Sequence, residues 1–257
     1  MRLLLILLIF SDSQANERLA RIVDKEGFTN VRAGQGLSFD IVDKVTTGDF
    51  FYCETESDND WLKVKLLKWN SGDQITGYIH KSRIQIIEEL GNEEQKKIIL
   101  SVLKRQKQLA DKFVESHKKY NKELQKWNSN ADSISYRKTV SELQNYSETA
   151  YSPILQLLPK AFCSTKDKSI ISNFLDTIWS DKGSANEEPS FAIGECFACD
   201  TKALAEQIKQ LKNKEQKELI INDIEWGLLN KFSIDENKQS TDPKFLELKR
   251  QLDLVRE

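Results

Sequence analysis

The spacing of apolar residues changes near Ile87, and that change divides the chain more sharply than its composition does. From about Arg21 to Ile87, short alternating runs are broken by turn residues at Gly34-Gln35-Gly36, Thr47-Gly48-Asp49, Ser57-Asp58-Asn59-Asp60 and Asn70-Ser71-Gly72-Asp73. A period of two sends successive side chains to opposite faces of a strand, and short strands at these intervals describe a small barrel. In Trp61-Leu62-Lys63-Val64-Lys65-Leu66 the alternation predicts Leu62, Val64 and Leu66 inside, with Trp61, Lys63 and Lys65 outside. By the same rule Phe51 and Cys53 point inward in the preceding strand, and Phe50 and Tyr52 outward.

Beyond Glu88-Glu89-Leu90-Gly91-Asn92 the period becomes three and four. Asn92 is expected to cap a helix that carries Glu93 and Glu94 in its first turn. Ile99, Val102, Leu103, Leu109, Phe113, Tyr120, Leu124 and Trp127 mark one amphipathic helix of roughly 30 residues. Further helices are expected at 133–158 (Val140, Leu143, Tyr146, Ile154), at 166–180 (Ile170, Phe174, Leu175, Ile178) and at 201–212. Two more follow at 214–231 (Leu219, Ile220, Ile224, Leu228, Leu229) and 243–255, giving an irregular bundle. Asp181 to Asp200, with Gly183, Pro189 and Gly194, reads as a long ordered loop.

The 257 residues suffice for two domains. Their 38 basic and 40 acidic side chains are mixed along the chain, which argues against a nucleic-acid protein with a basic face. At the start, Met1-Arg2 is followed by an unbroken apolar run from Leu3 to Phe10 and by Ser13-Gln14-Ala15, the pattern of a cleaved signal peptide. The run is too short to cross a bilayer, which takes about 20 residues. No membrane insertion is expected after cleavage near Ala15, so the mature protein is expected to be periplasmic or secreted.

Asn30-Val31-Arg32-Ala33-Gly34, then Gly48, then Trp61-Leu62-Lys63-Val64, then Gly77-Tyr78-Ile79-His80-Lys81-Ser82 resemble, in order and spacing, the bacterial SH3 domain family. The resemblance covers about a quarter of the chain. It implies a five- to six-stranded barrel used for binding, often of peptidoglycan or of envelope peptides, and not for catalysis. Two places depart from the family: Gln35-Gly36 stands where a Gly-Pro or Ser-Pro pair is common, and Leu67 to Thr76 makes a longer hairpin carrying Trp69. The expected fold is α+β and multi-domain: a signal peptide at 1–15, an SH3-like β-barrel at 20–87 and an α-helical bundle at 92–257.

Tyr52, Asp60, Trp61, Trp69, Tyr78 and Arg83, with Asp58, are the candidate ligand-binding residues, since outward aromatics with polar rims suit a peptide or glycan. The alternative is that Trp61 and Tyr78 cover the barrel ends, where aromatics supply much buried area. Cys53 sits in a strand and is read as a small hydrophobe. In an oxidising compartment Cys163 is expected to bridge to Cys196 or Cys199. Cys196-Phe197-Ala198-Cys199 has C-x-x-C spacing, but neither the two further ligands of a zinc site nor an α/β redox frame accompanies it. His117, between Phe113 and Tyr120, has no nucleophile signature nearby and reads as a packed or half-exposed helix residue.

The expected function is therefore an exported, non-catalytic binding protein of the cell envelope, with no cofactor, metal or nucleic acid. Its barrel would engage peptidoglycan or an envelope protein or peptide, and its helical domain would offer a second interaction surface. Two other classes stay open: a periplasmic or secreted inhibitor or immunity-type protein acting through the helical domain, and a thiol redox protein using Cys196 and Cys199.

Overall fold

The period-two segments fold as seven strands: β1 (Glu17–Ile22), β2 (Phe28–Arg32), β3 (Ile41–Thr46), β4 (Phe50–Glu54), β5 (Trp61–Leu67), β6 (Gln74–His80) and β7 (Ile84–Ile86). The computed structural model describes residues 17–55, 59–67, 74–124, 133–182, 186–232 and 242–256. The expected leader at 1–15, Asp58, Trp69 and Trp127 lie outside these residues. The chain divides into two units, Met1–Glu88 and Glu89–Glu257.

In the first unit all strand pairs are antiparallel, in the order β3-β2-β6-β5-β4-β1-β7. Among the described residues the end strands β3 and β7 do not pair, so the expected closed barrel is corrected to an open, curled sheet. The physical reason lies in β7. It is three residues long and turns at once into a 3-10 turn at Ile87–Glu89, too short to reach the far edge. Val45 of β3, Ile22 of β1 and Phe51, Cys53, Leu62, Val64, Leu66 and Ile79 between them share one apolar cluster, so the sheet wraps around its own inner face. The alternation within β4 and β5 is the expected one, with Phe50, Tyr52, Trp61, Lys63 and Lys65 on the other side and partly exposed. Gly48 holds φ at +103° in the β3–β4 turn, a conformation that side chains resist.

The second unit is helical: α1 (Asn92–Leu124), α2 (Ser133–Tyr146), α3 (Ser152–Thr165), α4 (Lys168–Ser180), α5 (Glu188–Cys199), α6 (Thr201–Lys209), α7 (Lys214–Lys231) and α8 (Pro243–Arg256). The 33-residue α1 packs against α2, α3 and α4, and α5 lies against α3 and α7. Ile170, Phe174, Leu175 and Ile178 of α4 and Ile220, Ile224 and Leu228 of α7 are buried, as their spacing predicts.

The expected helix at 133–158 is instead α2 and α3 joined by a π-helical turn at Ser147–Tyr151, and α3 continues to Thr165. Pro153 has no N–H to give to a carbonyl four residues back, and the widened turn just before it takes the register change, with Ser152 N–H donating to the Ser147 carbonyl.

The expected loop at 181–200 is also corrected, because most of it is α5. Pro189 occupies the start of that helix, where a missing N–H costs nothing. Gly194 is a contact point: a Cβ on it would stand 2.7 Å from the backbone of Gly227 in α7. The two glycines let α5 and α7 approach closely.

Candidate functional site

The β1–β2 turn builds one wall of a groove on the sheet unit. Asp24 accepts from the Glu26 backbone N–H at 3.0 Å through Oδ1, and Gly27, at φ +78°, lets the chain reverse into β2. The second wall comes from the end of β6. His80 caps the 3-10 turn Lys81–Arg83: its Nδ1 accepts from the Ser82 N–H at 3.3 Å and lies 2.8 Å from Ser82 Oγ. Neutral His80 therefore carries its proton on Nε2. That turn aims Arg83 back at the first wall, where its Nη1 donates to Asp24 Oδ2 at 2.5 Å.

Between the walls, β2 presents Phe28, Asn30 and Arg32 on its outer face, and Trp61 of β5 meets His80 edge to face at 5.5 Å. Arg32 Nη1 donates to the carbonyls of Leu37 and Phe39 at 2.9 and 2.8 Å, pinning the 33–40 loop so that Leu37 forms a rim. The groove has a volume of about 180 Å³, with Glu26 and Thr29 as further polar points. Lys44 Nζ sits 3.9 Å over the Phe28 ring from outside.

Two carboxyls here are held ionised. The Glu26 backbone N–H and the Arg83 guanidinium keep Asp24 below the usual carboxylate range, and Lys81 does the same for Asp60. Arg83 and Lys81 are thus engaged by anions of the unit itself. Glu26, Asn30 and the two aromatic rings are left as the points a ligand would meet.

Of the residues proposed from sequence, Trp61 and Arg83 line the groove. Asp60 stands beside it in an ion pair with Lys81. Tyr78 lies opposite Arg32 and Lys63 in the register of β6, on the outer face but off the lining. Tyr52 lies opposite Leu19 and Lys65, on β4, also off the lining. Trp69 lies outside the described residues. The sequence reading missed Glu26, Phe28, Asn30, Leu37 and His80. The outward phase of Phe28-Thr29-Asn30-Val31-Arg32 was the available signal, since Val31 is fully buried between its half-exposed neighbours.

In the helical unit, Cys163 on α3 and Cys199 on α5 stand at disulfide distance, with Cα atoms 5.9 Å apart. Cys196, the other candidate partner, is a free, buried thiol whose pKa burial pushes far up, the environment of an inert cysteine. Lys166, at φ 54°, closes α3 and brings Nζ to 3.0 Å from Cys199 Sγ. His117 is exposed on α1, in contact with Tyr136 and Asn121. Among the described residues no group of three or more His, Cys, Asp or Glu is placed to hold a metal, and no helix is long and apolar enough to cross a membrane.

Comparison with protein-family models, with curated proteins and with solved structures finds no match, so the groove is interpreted from its own chemistry.

Proposed function

We propose that the chain is an exported, non-catalytic binding protein of the cell envelope whose sheet unit takes peptidoglycan or an envelope peptide in the Trp61–His80 groove. The observation that carries this reading is a half-exposed aromatic pair beside the Asn30 amide and the Glu26 carboxylate, the combination that grips a glycan or peptide by ring contact and hydrogen bonds.

Two features support a peptide-bearing ligand. β3 is an edge strand, and Leu37, Phe39, Ile41 and Val42 expose apolar side chains along it and the preceding loop, Leu37 to 78%. An edge strand offers backbone groups for pairing with an extended segment, and apolar side chains beside it add contact area. The Cys163–Cys199 pair suits an oxidising compartment and so supports export, along with the leader-like first 15 residues.

Sedimentation of the purified mature chain with insoluble peptidoglycan tests the reading. Co-sedimentation that soluble muropeptides compete away is the expected result. Failure to sediment would remove peptidoglycan and leave an envelope protein as the ligand.

A further inference from the structure

On the helical unit several carboxylates have cationic partners: Glu142 with Lys112, Asp167 with Lys96, Glu206 with Lys168, and Glu225 with Lys249 and Arg256. One half-buried group of four that lie together has none. Glu148 in the π turn, Asp181 after α4, Glu188 opening α5 and Asp223 on α7 have no basic partner among the described residues. Among the described residues Asp223 meets the Ser190 hydroxyl at 3.1 Å, and Asp181 meets Gln106 Nε2 at 3.4 Å.

The floor of the cluster is polar and fully covered. Tyr151 and Gln106 are both 0% exposed. The Tyr151 hydroxyl, Gln106 Oε1 and Glu188 Oε2 are buried with no hydrogen-bond partner among the described residues. Gln106 aims its amide into the cluster, since its Nε2 also donates to Ser147 Oγ at 2.8 Å. Asp181, Asp223 and Glu188 all lie close enough to Tyr151 for their charges to act on its phenol. Burial lifts Asp181 to about 6 and raises Glu148 and Asp223, and Glu188 adds to the effect at Glu148.

A buried polar atom without a partner forgoes the hydrogen bonds it made to water, so three of them together are a costly feature for a core to keep. They also sit at a π turn, a local distortion that recurs at functional sites. The Tyr151 hydroxyl both donates and accepts, whereas Gln106 Oε1 and the ionised carboxylates only accept, so a cation rich in donors complements the cluster.

We propose that this cluster receives a guanidinium group, presented as an arginine side chain by a partner protein. A guanidinium brings five N–H donors in a planar fork and is more weakly hydrated than an ammonium, so it gives up less on entering a half-buried site. Lys182, next to Asp181 in the chain, is engaged elsewhere: it pairs with Glu215 at 3.2 Å and covers the Trp179 ring at 3.5 Å. The inference does not rest on the groove of the sheet unit, and either can fail alone.

The test is a titration of the full chain, carrying ¹³C-labelled tyrosine rings, with acetyl-arginine-methylamide. The neutral isostere acetyl-citrulline-methylamide and the lysine analogue are run in parallel, and the Tyr151 resonance is assigned with Tyr151→Phe. The expected result is a saturable shift of the Tyr151 ring with the arginine probe, at least about tenfold weaker with either analogue. In Asp181→Asn the shift is lost while the melting temperature at neutral pH rises, a combination that a merely structural Asp181 would not produce. Absence of a saturable Tyr151 shift, an equal response to citrulline, tighter binding of the lysine probe, or undiminished binding by Asp181→Asn would each overturn the proposal.

Discussion

Trp61 and His80 meet edge to face across the β5–β6 pair, ring centroids 5.5 Å apart and planes at 87°, so each ring is braced by the strand opposite while both remain at the surface. Such a pair contributes about 0.5–1.5 kcal/mol beyond area burial. Trp61→Ala should therefore lower the stability of the chain by no more than about 2 kcal/mol. Leu62→Ala, one residue along and pointing into the core, should cost about 2–5 kcal/mol. Denaturant unfolding of the two variants checks this. Equal losses would make Trp61 a core residue instead of a groove wall.

The Cys163–Cys199 bridge closes a loop across a sequence separation of 36. Cross-linking a loop of this size restricts the unfolded chain and stabilises by about 2–4 kcal/mol. Cys163→Ser should lower the unfolding free energy by that amount. Cys196, by contrast, should resist a thiol reagent until the helical unit unfolds, because burial raises its pKa and blocks approach. Rapid labelling of Cys196 in the native protein would contradict its placement.

Gly227 has the tightest surroundings of the described glycines: a Cβ there would meet the Ser190 carbonyl oxygen at 2.0 Å. Backbone cannot yield as a flexible side chain does, so Gly227→Ala should force α5 and α7 apart and cost about 3 kcal/mol or more. Gly91→Ala, with nothing within 4 Å, is the control and should change stability by less than about 1 kcal/mol. Thermal unfolding of both variants decides the point.

Two aspartates give opposite pH signatures. Lys96 and Ser169 hold the Asp167 carboxyl down to about 2, below its ordinary 3.8. Its stabilisation is complete above pH 3.8 and is lost as pH falls toward 2, on the order of 2 kcal/mol in all. Asp167→Asn, which keeps the cap on Ser169 N–H, should flatten that acid limb. Asp181 titrates near 6 in the fold, facing Gln106 and Tyr151 with Glu188 and Asp223 on the same cluster. Its raised pKa means stability is lost as pH rises from about 4 to about 6. Asp181→Asn should stabilise the chain at pH 7 and leave it unchanged near pH 3. Unfolding curves across this range carry both tests.

What the sequence made legible follows from local rules. Leu62, Val64 and Leu66 announce their strand through period two, and Ile170, Phe174 and Ile178 announce α4 through spacings of three and four. The open edge of the sheet was hidden because closure depends on the reach of β7, a length and not a pattern. α5 was hidden by Pro189 and Gly194, which read as breakers until Gly227 is found against the second of them. The groove assembles Asp24, Phe28, Leu37, Trp61 and His80 from separate stretches, and of its lining only Trp61 and Arg83 were chosen from sequence. Gln106, Tyr151, Asp181 and Asp223 carry no motif at all, and only the packing of α1, the π turn, α4, α5 and α7 brings them together.

We assign ligand binding to the Trp61–His80 groove. Sedimentation with insoluble peptidoglycan, comparing the wild-type mature chain with Trp61→Ala after both are shown to be folded, tests it most directly. Retention of the wild type and loss of at least about nine-tenths of it in the variant is the predicted result. Equal retention of both proteins would contradict the claim and place the binding surface elsewhere.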